Sequence, residues 1–329
     1  MTQSQMSPIP LESTSKSAMP MMRGWIEGLG LVAAFGLLWF MPLLVDEYWL
    51  QLGFRIGILL TLAQGWNLMA GSAGLVSLGT SSFVGLGGYV AFGLLNHLSL
   101  PLPLVLFVCA IMGAILAVLV SPALFRLRGL YFTVGTLALA ELLRLVMVNA
   151  TVFGGATGLV LREDPPELTI LFHFALALAV SAALTVTICA RSRFSVIVGA
   201  VRDDEDAAAQ VGVRPFRVKL ATFVLASMLA GAAGGLQAVK LGAIEPYGMF
   251  GLQWSIDVLT IVLIGGVGWR FGPLIGTLLV VALGEVLADY PELHIAIAGV
   301  ILLVLIRFAP QGLAGLAARG LGFLTRASS

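Results

Sequence analysis

The chain has 329 residues, 59% of them hydrophobic and only 11% charged, with a mean hydropathy of +1.02. Soluble domains carry about 25% charged and 45–50% apolar residues, so this composition describes a polytopic membrane protein. The net charge of +1 carries no signal for nucleic acid, and there is no GxxxxGK[ST] phosphate loop, CxxC or HExxH motif. Neither ATP hydrolysis nor a metal site is therefore expected of this chain.

Residues 1–24 are polar, with Pro8, Pro10 and Pro20, and read as a disordered cytoplasmic lead. The apolar run that begins near Trp25 is too long for a signal-peptide core and has no small-residue cleavage site after it, so it should remain as a helix. A span needs about 20 apolar residues to cross ~30 Å of hydrocarbon. Ten stretches qualify: 25–44, 50–70, 75–95, 101–123, 130–149, 168–190, 218–241, 253–269, 271–289 and 293–309. The fold class is thus all-α, a membrane bundle of about ten helices (eight to ten), with a transmembrane domain over 25–309 and a cytoplasmic tail over 310–329. Gly71, Gly74, Gly79, Gly85, Gly87 and Gly88 can break the third stretch into a kinked or re-entrant element. The eighth and ninth stretches meet tightly at Gly268–Phe271.

Lys and Arg set the orientation. Lys16 and Arg23 precede the first span, Arg126 and Arg128 follow the fourth, Arg270 the eighth, and Arg319 and Arg326 the tenth. The connection after the sixth span carries Arg191, Arg193, Arg202, Arg214, Arg217 and Lys219. The opposite connections are acidic or neutral: Asp46-Glu47, Asn96–Leu100, Arg162-Glu163-Asp164 with Glu167, Glu245, and Asp289–Glu292. This alternation fits both termini in the cytoplasm.

The connection over 191–218 is the only long charge-dense loop. Within it, Asp203–Gly212 reads as one small helix. Asp203 or Asp204 can cap its start, Ala207–Ala209 favour helix, Gly212 suits a left-handed cap, and Pro215 should prevent an early restart. About nine residues make a rod of ~14 Å, too short to be stable alone. Val201, Ala208 and Val211 offer an apolar stripe to a partner, the alternative being a solvated connector.

The stretch Phe194–Ala209 resembles the coupling segment of bacterial high-affinity branched-chain amino acid ABC permeases of the LivM type. Gly65–Gly79, Gly129–Ala138, Gly154–Leu159, and Gly265–Gly268 with Gly272-Pro273 and Gly276 are similar to the same family, so the resemblance covers roughly 50–290. It implies the ABC importer permease fold in a bacterial inner membrane. It also implies two cytoplasmic ABC ATPase subunits, a homologous partner permease and a periplasmic substrate-binding protein. The chain itself would bind no cofactor, ATP being used by the ATPases. The resemblance places Arg202, Asp203, Glu205, Ala208 and Gly212 in the coupling element, with Glu-Asp-Ala-Ala-Ala where importers generally carry a Glu-Ala-Ala core. It implies import of leucine, isoleucine and valine, and permeases for urea or short-chain amides look very similar.

Ionisable groups within spans are costly and are functional candidates. Glu141 and Arg144 share a helix face and can pair inside the bundle or serve a gate. Arg55, Lys240, Asp257 and Glu285 lie toward the outer side; they either snorkel and pair or form a charged vestibule for a zwitterionic amino acid. Gln64, Asn67, Ser77, Thr80, Ser81 and Ser82, with Thr133 and Thr136, can line a translocation path or make interhelical hydrogen bonds. Cys109 and Cys189 read as buried small hydrophobes, and His97, His173 and His294 as interfacial residues. An ion-coupled secondary transporter would show paired repeats with broken helices, and an intramembrane enzyme a catalytic constellation; neither is legible.

Overall fold

The computed structural model describes residues 38–287 continuously, with Gly36, Ile297, Gly299 and 312–315. The spans expected at 25–44 and 293–309, the lead over 1–24, the tail over 310–329 and His294 fall wholly or largely outside the described residues. The chain divides into two units, Met1–Leu44 and Val45–Ser329. The described end of the first is a 3-10 turn over Met41–Leu43, opened by a proline and leaving Leu43 and Leu44 exposed.

The second unit is helical. Helix α1 (Glu47–Asn67) starts behind an extended Asp46, with Glu47 favourably placed at the positive end of the helix dipole. It loosens into a π turn over Leu68–Ser72, a form that concentrates at functional sites. Gly74, left-handed at φ +70°, then reverses the chain. Its N–H donates to the Ala70 carbonyl at 3.1 Å and that of Leu75 to the Met69 carbonyl at 3.2 Å, so the helix end is satisfied. Residues 75–79 form no regular secondary structure, and α2 (Thr80–Leu98) follows as one unbroken helix. The glycine-rich third stretch is therefore irregular only before Thr80, and Gly85, Gly87 and Gly88 sit inside a continuous helix.

Helices α3 (Leu102–Leu124), α4 (Leu130–Asn149) and α5 (Leu168–Arg191) match the expected apolar stretches closely. Two short helices follow, α6 (Arg193–Asp203) and α7 (Glu205–Gln210), then α8 (Pro215–Leu241). A single turn, α9 (Pro246–Met249), precedes α10 (Gln253–Gly265), and α11 (Gly272–Val286) ends the described bundle. Five described stretches are long and apolar enough to cross a membrane: Leu102–Leu124, Leu130–Asn149, Leu168–Arg191, Pro215–Leu241 and Pro246–Gly265. The eighth expected span is shorter than its apolar run, because the chain turns over residues 266–271 with Gly266 and Gly268 at positive φ, and the ninth begins one residue later than expected, at Gly272.

Helix α8 is central and α4 peripheral: 72% of the apolar window of α8 is buried in the chain, against 17% for α4. Both α2 and α3 pack along α8, α1 packs along α5, and α10 pairs with α11. Lipid gives apolar helices no hydrophobic reason to associate, so close backbone approach has to supply the contact. A Cβ on Gly87 of α2 would lie 2.0 Å from the Gly231 carbonyl oxygen, and one on Gly113 of α3 would lie 2.4 Å from that of Ser227. The α10–α11 crossing is as tight, with 2.0 Å between a Cβ on Gly276 and the Ile261 oxygen.

The connections sort into two ends. At one, strand β1 (Leu159–Val160) pairs antiparallel with β2 (Ala243–Ile244), Leu159 opposite Ile244. Asn96 joins them there, donating to the Val160 carbonyl at 3.0 Å and accepting from the Arg162 N–H at 2.9 Å. At the other end the connections after α1, α3, α5 and α10 meet through Arg202, Arg128 and Asn67.

Candidate functional site

The charge-dense loop is more structured than its sequence suggests. It forms two helices broken at Asp204, which adopts an extended conformation and caps α7, accepting at 3.0 Å from Asp206 N–H and 2.9 Å from Ala207 N–H. The expected single helix over Asp203–Gly212 is corrected accordingly: Asp203 closes α6 and Glu205 opens α7. Gly212 does take the left-handed conformation, φ +90°. Pro215 does not keep the chain from helix; it occupies the first turn of α8, where its missing N–H costs nothing.

Ala208 and Val201 are buried within the chain, only 4% and 3% exposed, whereas Val211 is 81% exposed. The expected docking stripe is thus split, and Ala208 packs inward. The apolar groups this segment shows outward are Val196, Ile197 and Val211. Glu205 is likewise held inside, in an ion pair with Lys219 of α8. Arg128 and Asp206 pair at 3.4 Å, both well exposed, a contact of little energetic weight.

Arg202 ties this segment to the π turn. Its Nη1 donates to the Gly71 carbonyl at 3.0 Å, Nε and Nη2 reach Asp203 Oδ1 at 3.1 Å, and its stem lies where a Cβ on Gly74 would stand.

Irregular backbone between two membrane helices must have its polar groups satisfied by protein, and side chains, mostly from other elements, do this over Val76–Gly79. Trp66 Nε1 donates to the Ser77 carbonyl at 2.8 Å, Thr133 Oγ1 to the Val76 carbonyl at 2.8 Å, and Ser255 Oγ to the Leu78 carbonyl at 2.7 Å. Thr136 Oγ1 accepts from the Leu78 N–H at 3.0 Å, and Ser77 Oγ from the Gly79 N–H at 3.0 Å. Ser81 N–H donates to Ser255 Oγ at 3.3 Å. Asn67 clamps the turn between α10 and α11, with Nδ2 on the Trp269 carbonyl at 3.1 Å and Oδ1 on the Gly268 N–H at 2.7 Å.

Of the uncharged polar residues expected along a path, Asn67, Ser77, Thr133 and Thr136 have their side chains turned onto backbone. Gln64 Oε1, Ser82 Oγ and Tyr89 Oη are buried without a hydrogen-bond partner among the described residues. Ser77 and Thr80 line a void of about 20 Å³, room for a water but not for an amino acid. Glu141 and Arg144 pair, with Arg144 Nε on Glu141 Oε2 at 2.9 Å and the guanidinium 4.7 Å from the Tyr247 ring centre. The Glu141 side chain is 53% exposed, so this pair lies on the outer face of the chain and not inside the bundle, the position the sequence suggested.

The four other charged residues do converge. Arg55 of α1, Lys240 of α8, Asp257 of α10 and Glu285 of α11 line one cleft of about 360 Å³. Tyr48, Gln51 and Gln237 line it too, residues that sequence reasoning missed. Their signal was helical spacing: Tyr48, Gln51 and Arg55 fall on one face of α1, and Gln237 and Lys240 on one face of α8. Tyr48 donates to Glu285, Gln253 donates to Asp257 at 2.6 Å, and the Lys240 ammonium lies 5.1 Å from the Phe54 ring centre. Among the described residues Arg55 and Lys240 form no ion pair.

A glycine-packed bundle with five described stretches long and apolar enough to cross a membrane is that of a multi-pass membrane protein. The chain belongs to the family described as branched-chain amino acid transport system / permease component, whose model matches residues 48–306. It is a permease of the LivM type. It is 29% identical over 319 residues to the high-affinity branched-chain amino acid transport system permease protein LivM of Escherichia coli, covering 87% of this chain and 75% of the relative. The LivM of Salmonella typhimurium is 29% identical over 308 residues, covering 83% and 71%. No solved structure matches the chain.

Proposed function

We propose that this chain is a non-catalytic membrane subunit of an ATP-driven importer for leucine, isoleucine and valine in a bacterial inner membrane. It crosses the membrane ten times over 25–309, with both termini and the loop over 191–218 in the cytoplasm. A homologous permease completes the path, a periplasmic binding protein delivers the solute, and two ATPases dock on the loop. This chain holds no cofactor; ATP belongs to the ATPases. The sidedness is supported by the gathering of the connections after α1, α3, α5 and α10, which hold Arg128, Arg202 and Arg270, at one end of the bundle.

The observation that carries the reading is the Arg202 bridge to Gly71. A displacement of α6–α7 by a docked ATPase pulls directly on the π turn that joins α1 to α2, so a cytoplasmic movement reaches the helices of the bundle. The partner-facing surface is Val196, Ile197 and Val211, all exposed, with Arg202, Asp203, Glu205, Ala208 and Gly212 shaping it from behind. In that role Gln64, Asn67, Ser77, Thr80, Ser81, Thr133 and Thr136 hold the α1–α2 junction that opens or closes the path, and Glu141–Arg144 marks a face presented to the partner permease.

The test is reconstitution with the candidate ATPases, partner permease and binding protein. Leucine uptake should require ATP, and Val211→Asp should abolish ATPase co-purification while leaving the permease folded. Leucine uptake that persists without any ATPase would overturn the reading in favour of an ion-coupled transporter. ATP-driven uptake of urea and not leucine would overturn the solute assignment.

A further inference from the structure

We infer that Asn67 is a positioning residue of the transport cycle: it locks the turn between α10 and α11 to the π turn at the end of α1, so that the pull of the cytoplasmic loop on Gly71 moves α10 and α11 together with the α1–α2 junction. This rests on the reading above that an ATPase drives the loop. Asn67 closes α1 and is only 3% exposed. Both ends of its amide face the same turn. Oδ1 accepts from the Gly268 N–H at 2.7 Å, and Nδ2 donates to the Trp269 carbonyl at 3.1 Å. Within the same π turn, the Gly71 carbonyl accepts from Arg202 Nη1 at 3.0 Å. Close backbone approach completes the joint: a Cβ on Gly71 would stand 2.6 Å from the N and Cα of Gly268 and 2.8 Å from Asn67 Oδ1. The loop, the π turn and the α10–α11 turn therefore meet at Gly71.

Packing alone would not carry the movement. α1 packs along both α10 and α11, but packed helices commonly shift by about 1–2 Å against one another. A pair of directional hydrogen bonds resists that slide, because a buried amide that loses its partners costs about 1–3 kcal/mol. The turn is pliable by itself, with Gly266 and Gly268 at φ +115° and +80° and Val267, Gly268 and Trp269 exposed. Asn67 is what fastens it to the π turn. The consequence lies at the far end of the α10–α11 pair. Trp254 near the start of α10 and Glu285 near the end of α11 line the cleft of about 360 Å³ with residues of α1 and α8. Moving the turn at one end of the pair shifts two walls of that cleft at the other.

The experiment measures distances between spin labels by pulsed electron resonance in the complete importer, with and without trapped ATP, in a Cys189→Ser background; Cys109 is buried. The reference label sits at Leu119→Cys of α3, and the second at either Ala200→Cys of α6 or Val267→Cys of the turn, all exposed positions. In the otherwise unaltered protein both distances should shift with ATP, by about 2 Å. Asn67→Leu removes both bonds, and Gly71→Ala wedges the turn from the π turn without removing a hydrogen-bonding group. In each, the Ala200 distance should still shift, the Val267 shift should be lost, and leucine taken up per ATP hydrolysed should fall. A merely structural amide would lower the melting temperature and leave the Val267 shift in place, which overturns the assignment. An unaltered joint in which Ala200 moves and Val267 stays also overturns it, needs no Asn67 variant to fold, and leaves the coupling role of the loop standing. If neither distance responds to ATP, this inference and the loop-drive reading fall together.

Discussion

Replacing Gly87 by alanine tests whether the α2–α8 crossing is set by backbone contact. The added Cβ would stand 2.0 Å from the Gly231 carbonyl oxygen and 2.8 Å from its carbon, where ordinary contact begins at 3.4 Å. Because the obstacle is backbone, no side chain can swing aside, and α2 must back off by more than 1 Å along a helix that is the core of the bundle. Overpacking of this kind costs about 1–3 kcal/mol. At ~2–4 °C per kcal/mol for a chain of this order, the melting temperature in detergent should fall by about 2–12 °C. Two neighbours on the same helix calibrate the result. On Gly88 a Cβ meets the Cε of Met249 at 2.4 Å, the flexible end of a side chain, so Gly88→Ala should cost less. On Gly93 nothing lies within 4 Å, and Gly93→Ala should be neutral or gain up to ~1 kcal/mol of helix propensity. Fluorescence-monitored melting of the four proteins provides the ranking. Gly87→Ala melting with the wild type and with Gly93→Ala would refute the claim that this interface is held at backbone distance.

Thr136→Val keeps the shape but removes the acceptor of the part-buried Leu78 N–H; an orphaned buried donor costs about 1–3 kcal/mol, so the protein should melt lower by up to that amount, and an unchanged melt would mean the irregular segment finds another partner. Lys219→Met leaves Glu205 facing a site where it is only 29% exposed; stability should drop by about 1–3 kcal/mol, and adding Glu205→Gln should restore part of it, which a double-mutant cycle reads directly. Arg202→Ala should leave assembly intact but lower leucine transport per ATP hydrolysed, measured in proteoliposomes; unchanged stoichiometry would remove the bridge to Gly71 from the mechanism. Ala208→Arg forces a long cation into a buried position and should destabilise α6–α7 itself, seen as faster proteolysis of the loop over 191–218 in the isolated permease.

The sequence by itself determined the membrane class and most helix extents. The stretch expected at 130–149 is α4 to the residue, and that at 168–190 is α5 with one residue more, because crossing hydrocarbon demands a local, contiguous apolar run that composition displays directly. The helix break at Gly71–Gly79 was half legible: the glycines announced irregularity, but only the fold placed it before Thr80 and supplied its hydrogen bonds. What stayed illegible has a common cause, partners far away in sequence. Asn67 is satisfied by a turn 202 residues later, and Ser255 reaches the Leu78 carbonyl across 177 residues, so neither could be separated from a path-lining group beforehand. The short helix around Ala208 turns that residue inward against α6 and α8, which no helical periodicity states. The sequence grouped Arg55, Lys240, Asp257 and Glu285 toward one side but left open whether they snorkel and pair or share a vestibule; the packing of α1, α8, α10 and α11 puts them in one cleft, since a helix sets which face a residue occupies and its neighbours decide what that face meets.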